Sequence, residues 1–267
     1  MPTAEVDGVT LYYEIHGSGY PLLLIRGLGS NADHWYGQVP AFSAHYQTIV
    51  FDNRGIGRSD KPDMPYTIPM MAEDAVGLLD ALQIPKAHVL GLSMGGLIAQ
   101  QIALDHADRV NGLVLCCTGR GGNRMVRPPD FENQARPEAL YGSSEEAALK
   151  AQLNLFAAET IQSHPEVVQK YLETSQKHPP DPGTLARQRD AIQAFDSYED
   201  LPKIKVPTLI MAGAEDALVP PENSKILAER IPGSRLEIVA GGGHQFMVEQ
   251  PEVVNQIVLE FLSGLTD

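Results

Sequence analysis

"HVLGLSMGGLIAQQIAL", residues 88–104, begins as an apolar run and ends as a helical pattern, with Gly91-Leu92-Ser93-Met94-Gly95 at the change. Those five residues match G-x-S-x-G, a spacing that by itself also describes an ordinary glycine-bounded turn. The context decides the reading. A serine on a tight strand-to-helix turn holds its hydroxyl clear of the backbone, and the small Gly91 and Gly95 remove the clashes such a turn creates. The helix that follows aims its amino-terminal partial charge at the same spot, with the Met94 N–H as a donor to a developing oxyanion.

Working outward, the same change of period recurs along the chain. Apolar runs stand at 22–25 (LLLI), 48–51 (TIVF), 88–92 (HVLGL), 113–117 (LVLCC), 208–213 (TLIMAG) and 236–240 (LEIVA). Helical spacing fills the gaps, as in Ala75, Leu78, Leu79 and Leu82, or Leu97, Ile98, Ile102 and Ala103. This alternation predicts an α/β fold with a mostly parallel central sheet flanked by helices. At the amino terminus, AEV (4–6) and VTLYYEI (9–15) flank Asp7-Gly8 and read as an antiparallel hairpin.

The pattern breaks after Thr118. From Gly119 to Pro202 no strand stands out, and two capping boxes, Ser143 with Glu146 and Ser163 with Glu166, signal helix starts. Leu149, Leu153 and Phe156 give the first of these helices a buried stripe. We therefore expect a core of residues 1–118 and 203–267, with a helical cap over 119–202 inserted after the sixth strand. Insertions of this kind gather at the carboxyl ends of strands, where ligands bind.

Composition narrows the chemistry. The chain has 267 residues, 43% of them apolar and 20% charged, with a formal charge of −14. That field repels phosphate backbones and anionic membrane surfaces, so nucleic acid and membrane are not expected partners. The two cysteines, Cys116 and Cys117, adjoin in a predicted strand, where neighbours face opposite ways. Buried free thiols and the lack of a leader or membrane-length stretch point to the cytoplasm. No His and Cys cluster has zinc spacing, so neither metal nor cofactor is expected.

A neutral serine attacks a carbonyl poorly and needs a base, which in turn needs an orienting group. Of eight histidines, His16 and His88 fall in strands, His45 and His106 near helix ends, and His164 and His178 in the insertion. His34 precedes the serine. His244, in a glycine loop after a late strand, is the candidate base. For the acid, TLIMAGAEDALVP delivers both Glu215 and Asp216 into a loop, and either carboxylate is chemically capable.

These stretches together resemble the α/β-hydrolase-fold serine hydrolases. The likeness runs from LYYEIHGSGYPLLLIRGLGS (11–30) through FDNRGIGRSD (51–60) and GLSMGG (91–96) to GAEDALVP (213–220) and GGGHQFMVEQP (241–251). It implies the fold, selects Asp216 as the acid at the fourth position of G-x-x-D-x-x-V-P, and gives the family order Ser93, Asp216, His244. It also implies an oxyanion hole from the backbone N–H groups of Leu28 and Met94, shaped by Gly27 and Gly29. The look is nearest to bacterial carboxylesterases and 3-oxoadipate enol-lactonases, which implies a small-molecule ester or lactone substrate. Meta-cleavage C–C hydrolases and cofactor-free perhydrolases share the same serine site. Ligand receptors with slow turnover also use this fold. Dehalogenases and epoxide hydrolases would need an aspartate at Ser93. Asp52, Arg54 and Ser59 match a loop that braces the serine turn.

One position departs from the resemblance. Arg26 stands where the family usually carries histidine. A guanidinium there has five donors and no acceptor, so it must be paired or reach water. We expect a brace bonded to loop carbonyls or a carboxylate, ahead of an anchor for an acidic substrate or a solvated side chain. Met94, Trp35, Phe246 and Met247 are adjacent by sequence and are candidates for pocket walls, with core packing the simpler duty for Trp35.

Overall fold

The computed structural model describes residues 1–122, 125–128 and 153–265. Among these, eight strands form one sheet in the order β1-β2-β4-β3-β5-β6-β7-β8. They are β1 (Thr3–Val6), β2 (Val9–His16), β3 (Pro21–Ile25), β4 (Gln47–Phe51), β5 (Ala87–Leu92), β6 (Val110–Cys116), β7 (Thr208–Gly213) and β8 (Arg235–Val239). Pairing is antiparallel for β1 with β2 and β2 with β4, and parallel from β4 to β8. The opening hairpin turns on Asp7 (φ 48°) and Gly8 (φ 78°), the left-handed pair a two-residue turn requires.

The continuous apolar runs follow from burial on both faces. Leu23 and Ile25 of β3 enter one core layer with Val89, Leu113 and Leu115. Leu22 and Leu24 enter the other with Leu90, Leu92 and Val114. Each such leucine or isoleucine contributes about 1.5–3 kcal/mol relative to exposure. β8 is the exception. It lies at the sheet edge, and its first four residues are only partly covered or exposed.

Helices α1 (Val39–Phe42), α2 (Ile68–Ala81) and α3 (Met94–Asp105) lie in the first half of the chain. The spacing that predicts α2 holds, with Ala75, Leu78 and Leu79 buried and Leu82 as C-cap. Its N-cap Thr67 accepts a hydrogen bond from the Met70 N–H at 3.1 Å. The second half carries α4 (Ala158–Ser163), α5 (Pro165–Lys177), α6 (Pro182–Ala194), α7 (Glu222–Arg230), α8 (Phe246–Glu249) and α9 (Pro251–Ser263). No helix among the described residues is long and apolar enough to cross a membrane.

Three expectations need correction or a boundary. The Ser163 and Glu166 capping box does not form: Ser163 ends α4, and His164 is the N-cap of α5 without a side-chain cap bond. Pro165 bars the preceding residue from helical geometry, so His164 at φ −131°, ψ 53° makes the break. Cys116 and Cys117 do not face opposite layers. β6 ends at Cys116, Cys117 takes φ 47°, and both buried thiols join one core cluster. Ser143, Glu146 and Leu149 lie outside the described residues. Leu153 and Phe156 pack with Val168, Tyr171 and Val248, which ties the inserted segment to the loop after His244. A lone antiparallel bridge, Gly121 with Asp196, joins the two ends of that segment.

Strand order reverses at the centre of the sheet, where β3 lies between β4 and β5. Ile25 is in register with Gly91. The chain therefore leaves β3 and β5 side by side, which puts the Arg26–Gly29 loop against the Ser93 turn at the switch point where α/β sheets bind ligands.

Candidate active site

Ser93 sits between β5 and α3 at φ 57°, ψ −117°. A non-glycine residue with this backbone is strained and persists only where its surroundings hold it. The Ser93 N–H donates to the Cys116 carbonyl at 2.8 Å, and the Thr118 hydroxyl donates to the Ser93 carbonyl at 2.8 Å. The flanking glycines are sterically required: a methyl on Gly91 would stand 2.1 Å from the Gly95 carbonyl oxygen, and one on Gly95 2.1 Å from that of Ile25. On the facing loop, a methyl on Gly27 would lie 3.0 Å from the Ser93 Cβ and 3.6 Å from its Oγ.

The loop after β7 resolves the choice between the two acids. Glu215 is exposed, whereas Asp216 is buried. Asp216 Oδ2 meets His244 Nδ1 at 2.8 Å, and Oδ1 accepts from the Leu218 and Val219 N–H groups at 2.9 and 2.8 Å. Both oxygens of the carboxylate are thus engaged, which fixes the imidazole and leaves its Nε2 for other work. Of the remaining histidines, His16 pairs with Glu14 and His106 with Glu73. His88 is buried against Tyr20 and Tyr46.

The histidine loop is held from three sides. Cys117 Sγ donates to the His244 carbonyl at 3.0 Å. The Gln245 N–H donates to the Leu155 carbonyl at 2.9 Å. Glu249 accepts from the Gly243 N–H at 3.0 Å, the Ala157 N–H at 2.9 Å and the Thr160 hydroxyl at 2.6 Å. Partial burial raises the Glu249 carboxyl above its ordinary value despite those three donors. Cys117, Asp216 and His244 place ligand atoms within 4.8 Å of one another, the one such group among the described residues. A cation there would need the Cys117 thiolate, and burial holds that thiol protonated far above its usual range. It would also have to break the contact between Asp216 and His244.

A cavity of about 320 Å³ opens over the serine. Ser93, His244, Gly27, Leu28 and Gly29 form its floor, and Tyr171, Arg189 and Ile192 reach it from α5 and α6. Met94 begins α3, so its N–H belongs to the first-turn donors that a helix leaves without an internal partner. Its side chain instead enters the core. Trp35 is fully buried in the layer beneath, the core duty expected of it, and Phe246 and Met247, buried there too, do not line the cavity. The oxyanion-loop candidates are braced from the inserted segment: Gln188 of α6 accepts from the Gly29 N–H at 3.2 Å and donates to the Arg54 carbonyl at 3.2 Å. Sequence reading missed Gln188, because a glutamine on an amphipathic helix carries no signal for a contact 159 residues away.

The 51–60 loop is structural, as expected. Asp52 accepts from the Ala32 N–H at 2.7 Å and the Arg58 N–H at 2.8 Å. Arg54 makes a buried two-point contact with Asp74, and Ser59 donates to the Asp52 carbonyl at 2.6 Å.

Arg26 departs from expectation. It is fully buried, so it does not reach water, and no carboxylate among the described residues pairs with it. Its Nη2 donates to Gln245 Oε1 at 3.2 Å, the guanidinium lies 4.7 Å from the Trp35 ring centre, and Nε and Nη1 have no hydrogen-bond partner. Burial lowers its pKa, and the neighbouring Tyr171 and Tyr36 oppose that shift. The expected brace exists, but its partner is a neutral amide beside His244. His34 is buried close by, bonded to Asn31 at 3.0 Å and Ser175 at 2.9 Å, and burial first, then the Arg26 charge, lowers its pKa to about 3.

Comparison with known proteins agrees with this architecture. The family model described as the alpha/beta hydrolase fold matches residues 20–251. "Putative carbamate hydrolase RutD" of Azorhizobium caulinodans is 37% identical over 98% of both chains. Among solved structures, the enol-lactonase of Burkholderia xenovorans superposes with a TM-score of 0.87 at 31% identity, covering 98% of this chain and 100% of its own. A thermophilic esterase of Thermogutta terrifontis gives 0.85 at 31%, covering 98% and 96%. A strained serine between strand and helix, a buried aspartate–histidine contact and a parallel sheet reversing order beneath them thus meet in a chain that belongs to the α/β-hydrolase fold family.

Proposed function

We propose that this protein is a serine hydrolase of carboxylic esters or lactones, working by two-step acyl transfer through Ser93, His244 and Asp216. The observation that carries the reading is the buried 2.8 Å contact between Asp216 and His244, opening with Ser93 onto one cavity. In this scheme His244 accepts the Ser93 proton as Oγ attacks the carbonyl, and Asp216 holds the tautomer and stabilises the imidazolium. The backbone N–H groups of Leu28 and Met94 receive the oxyanion, each worth about 2.7–4 kcal/mol. His244 then protonates the leaving alkoxide and activates the water that releases the acid. The chemistry draws on no metal or cofactor. Helices α5 and α6 serve as the described part of a lid that shapes the acyl pocket.

A second reading, carbamate hydrolysis on the same three residues, is supported by the names of relatives 31–37% identical over almost the whole chain. It differs in transferring a carbamoyl group in place of an acyl group, and not in machinery.

The test is Ser93→Ala together with a fluorophosphonate probe and a panel of short esters, lactones and carbamates. The expected result is a roughly 10⁴-fold or greater loss of turnover with an unchanged unfolding curve, and a single adduct on Ser93. Substantial activity in the pure variant, or an adduct elsewhere, would sink the assignment.

A further inference from the structure

We propose that Arg26 makes this pocket selective for substrates that carry a second, anionic group, such as a carboxylate remote from the scissile bond. This rests on the reading of the site given above and adds the substrate class to it.

Three observations lead there. First, the charge is enclosed and no described carboxylate pairs with it: its partners are the neutral Gln245 amide and the Tyr171 hydroxyl, and Nε and Nη1 have no hydrogen-bond partner. An enclosed cation left in this condition is costly unless something else in the working complex answers it. Second, its surroundings are the cavity wall. Gly27, the next residue, lines the cavity, as do Tyr171 and Gln245. Because Gln245 Oε1 is committed to Arg26, its NH₂ edge is the one left to donate, and an amide held this way favours an acceptor such as a carboxylate oxygen. Third, no described acid lines the cavity that this charge adjoins. His34 is held neutral, and the Asp216 carboxylate is already engaged by His244 and two backbone N–H groups. Arg26 acts through Gln245 and through its field, so it is a specificity and positioning residue and not a catalytic one.

At a separation of about 7–10 Å and an effective permittivity of about 20, one such charge changes the affinity for an anion by about 10- to 50-fold. The test uses two esters of matched shape, long enough that the free carboxylate does not readily cyclise onto the ester: 4-nitrophenyl hydrogen adipate, anionic at pH 7, and methyl 4-nitrophenyl adipate, neutral. The wild-type kcat/KM ratio of anionic to neutral ester is expected to exceed about 10, Arg26→Lys to keep it within about threefold, and Arg26→Met to lower it by about tenfold or more. Gln245→Glu, which sets a carboxylate against the guanidinium, should lower the ratio in the same way. Where Arg26→Met does not fold, wild-type inhibition by succinate against succinamide, read on the neutral ester, supplies the same comparison without a substitution. A wild-type ratio near one, or equal losses on both esters in Arg26→Met, would overturn the proposal and leave Arg26 as a brace alone, with the reading of the site intact. Hydrolysis of neither ester, with no phosphonate adduct on Ser93, would bring down the site reading and the proposal with it.

Discussion

Asp216 and Arg26 are both enclosed charged side chains at one site, yet they are held in opposite ways. The Asp216 carboxylate receives two backbone N–H groups and the His244 imidazole, so both of its oxygens are hydrogen-bonded. The Arg26 guanidinium donates to one side-chain amide oxygen and otherwise meets the Tyr171 hydroxyl and the face of an indole. Satisfied in full, a buried charge rigidifies its neighbours. Half satisfied, it keeps an unspent preference for a counter-charge. The first arrangement suits a group that must not move during catalysis, and the second suits one that discriminates between ligands.

The largest effect should come from cutting the satisfied side. Asp216→Asn keeps the shape but presents the wrong hydrogen-bond partner to His244 Nδ1, and kcat should fall by roughly 10³- to 10⁴-fold with little change in the unfolding midpoint. A small loss, measured on any turned-over ester, would mean that His244 does not depend on this carboxylate.

Next is the neighbourhood of Arg26, read through pH. His34 has a folded pKa lowered from 6.5 to about 3, so between those values the unfolded chain binds a proton that the folded chain refuses. Stability is therefore full above about pH 6.5 and is lost as pH falls, at about 1.4 kcal/mol per unit over that window. Urea unfolding at several pH values should show this slope in the wild type and a shallower one in His34→Gln. Identical slopes would show that the ring is not shielded from protons.

The smallest effect concerns a third enclosed charge, intermediate between the other two. Glu249 has three donors and no cation among the described residues, and it joins the His244 loop to α4 through Gly243, Ala157 and Thr160. Glu249→Gln replaces one acceptor oxygen by a donor and should cost about 1 kcal/mol in urea unfolding. A neutral outcome would mean that the link between this loop and the inserted segment rests on the packing of Phe156, Val168, Tyr171 and Val248 instead.

What the sequence shows is uneven for physical reasons. The nucleophile turn is legible because its requirements are local: two glycines that a methyl would clash with, one strand before and one helix after. The strands are legible because apolar runs buried on both faces differ from amphipathic helices. The caps of the inserted segment were less so. Ser163 and Glu166 have the right spacing for a capping box, but the proline between them and the preceding helix settle the break at His164. Trp35 and Phe246 stand beside site residues in the chain and point away from the cavity, since adjacency in sequence does not fix side-chain direction at a loop.

The amino-acid sequence by itself determined the α/β alternation, the serine turn, the identity of the candidate base and, through resemblance, the acid, because each depends on residues within a few positions or on a spacing held along the chain. The partner of Arg26 was decided only by the tertiary structure, which brings together residues 26 and 245, 219 positions apart. No local pattern encodes that an arginine will meet an amide and no described carboxylate, because the outcome depends on which loops the sheet order sets side by side.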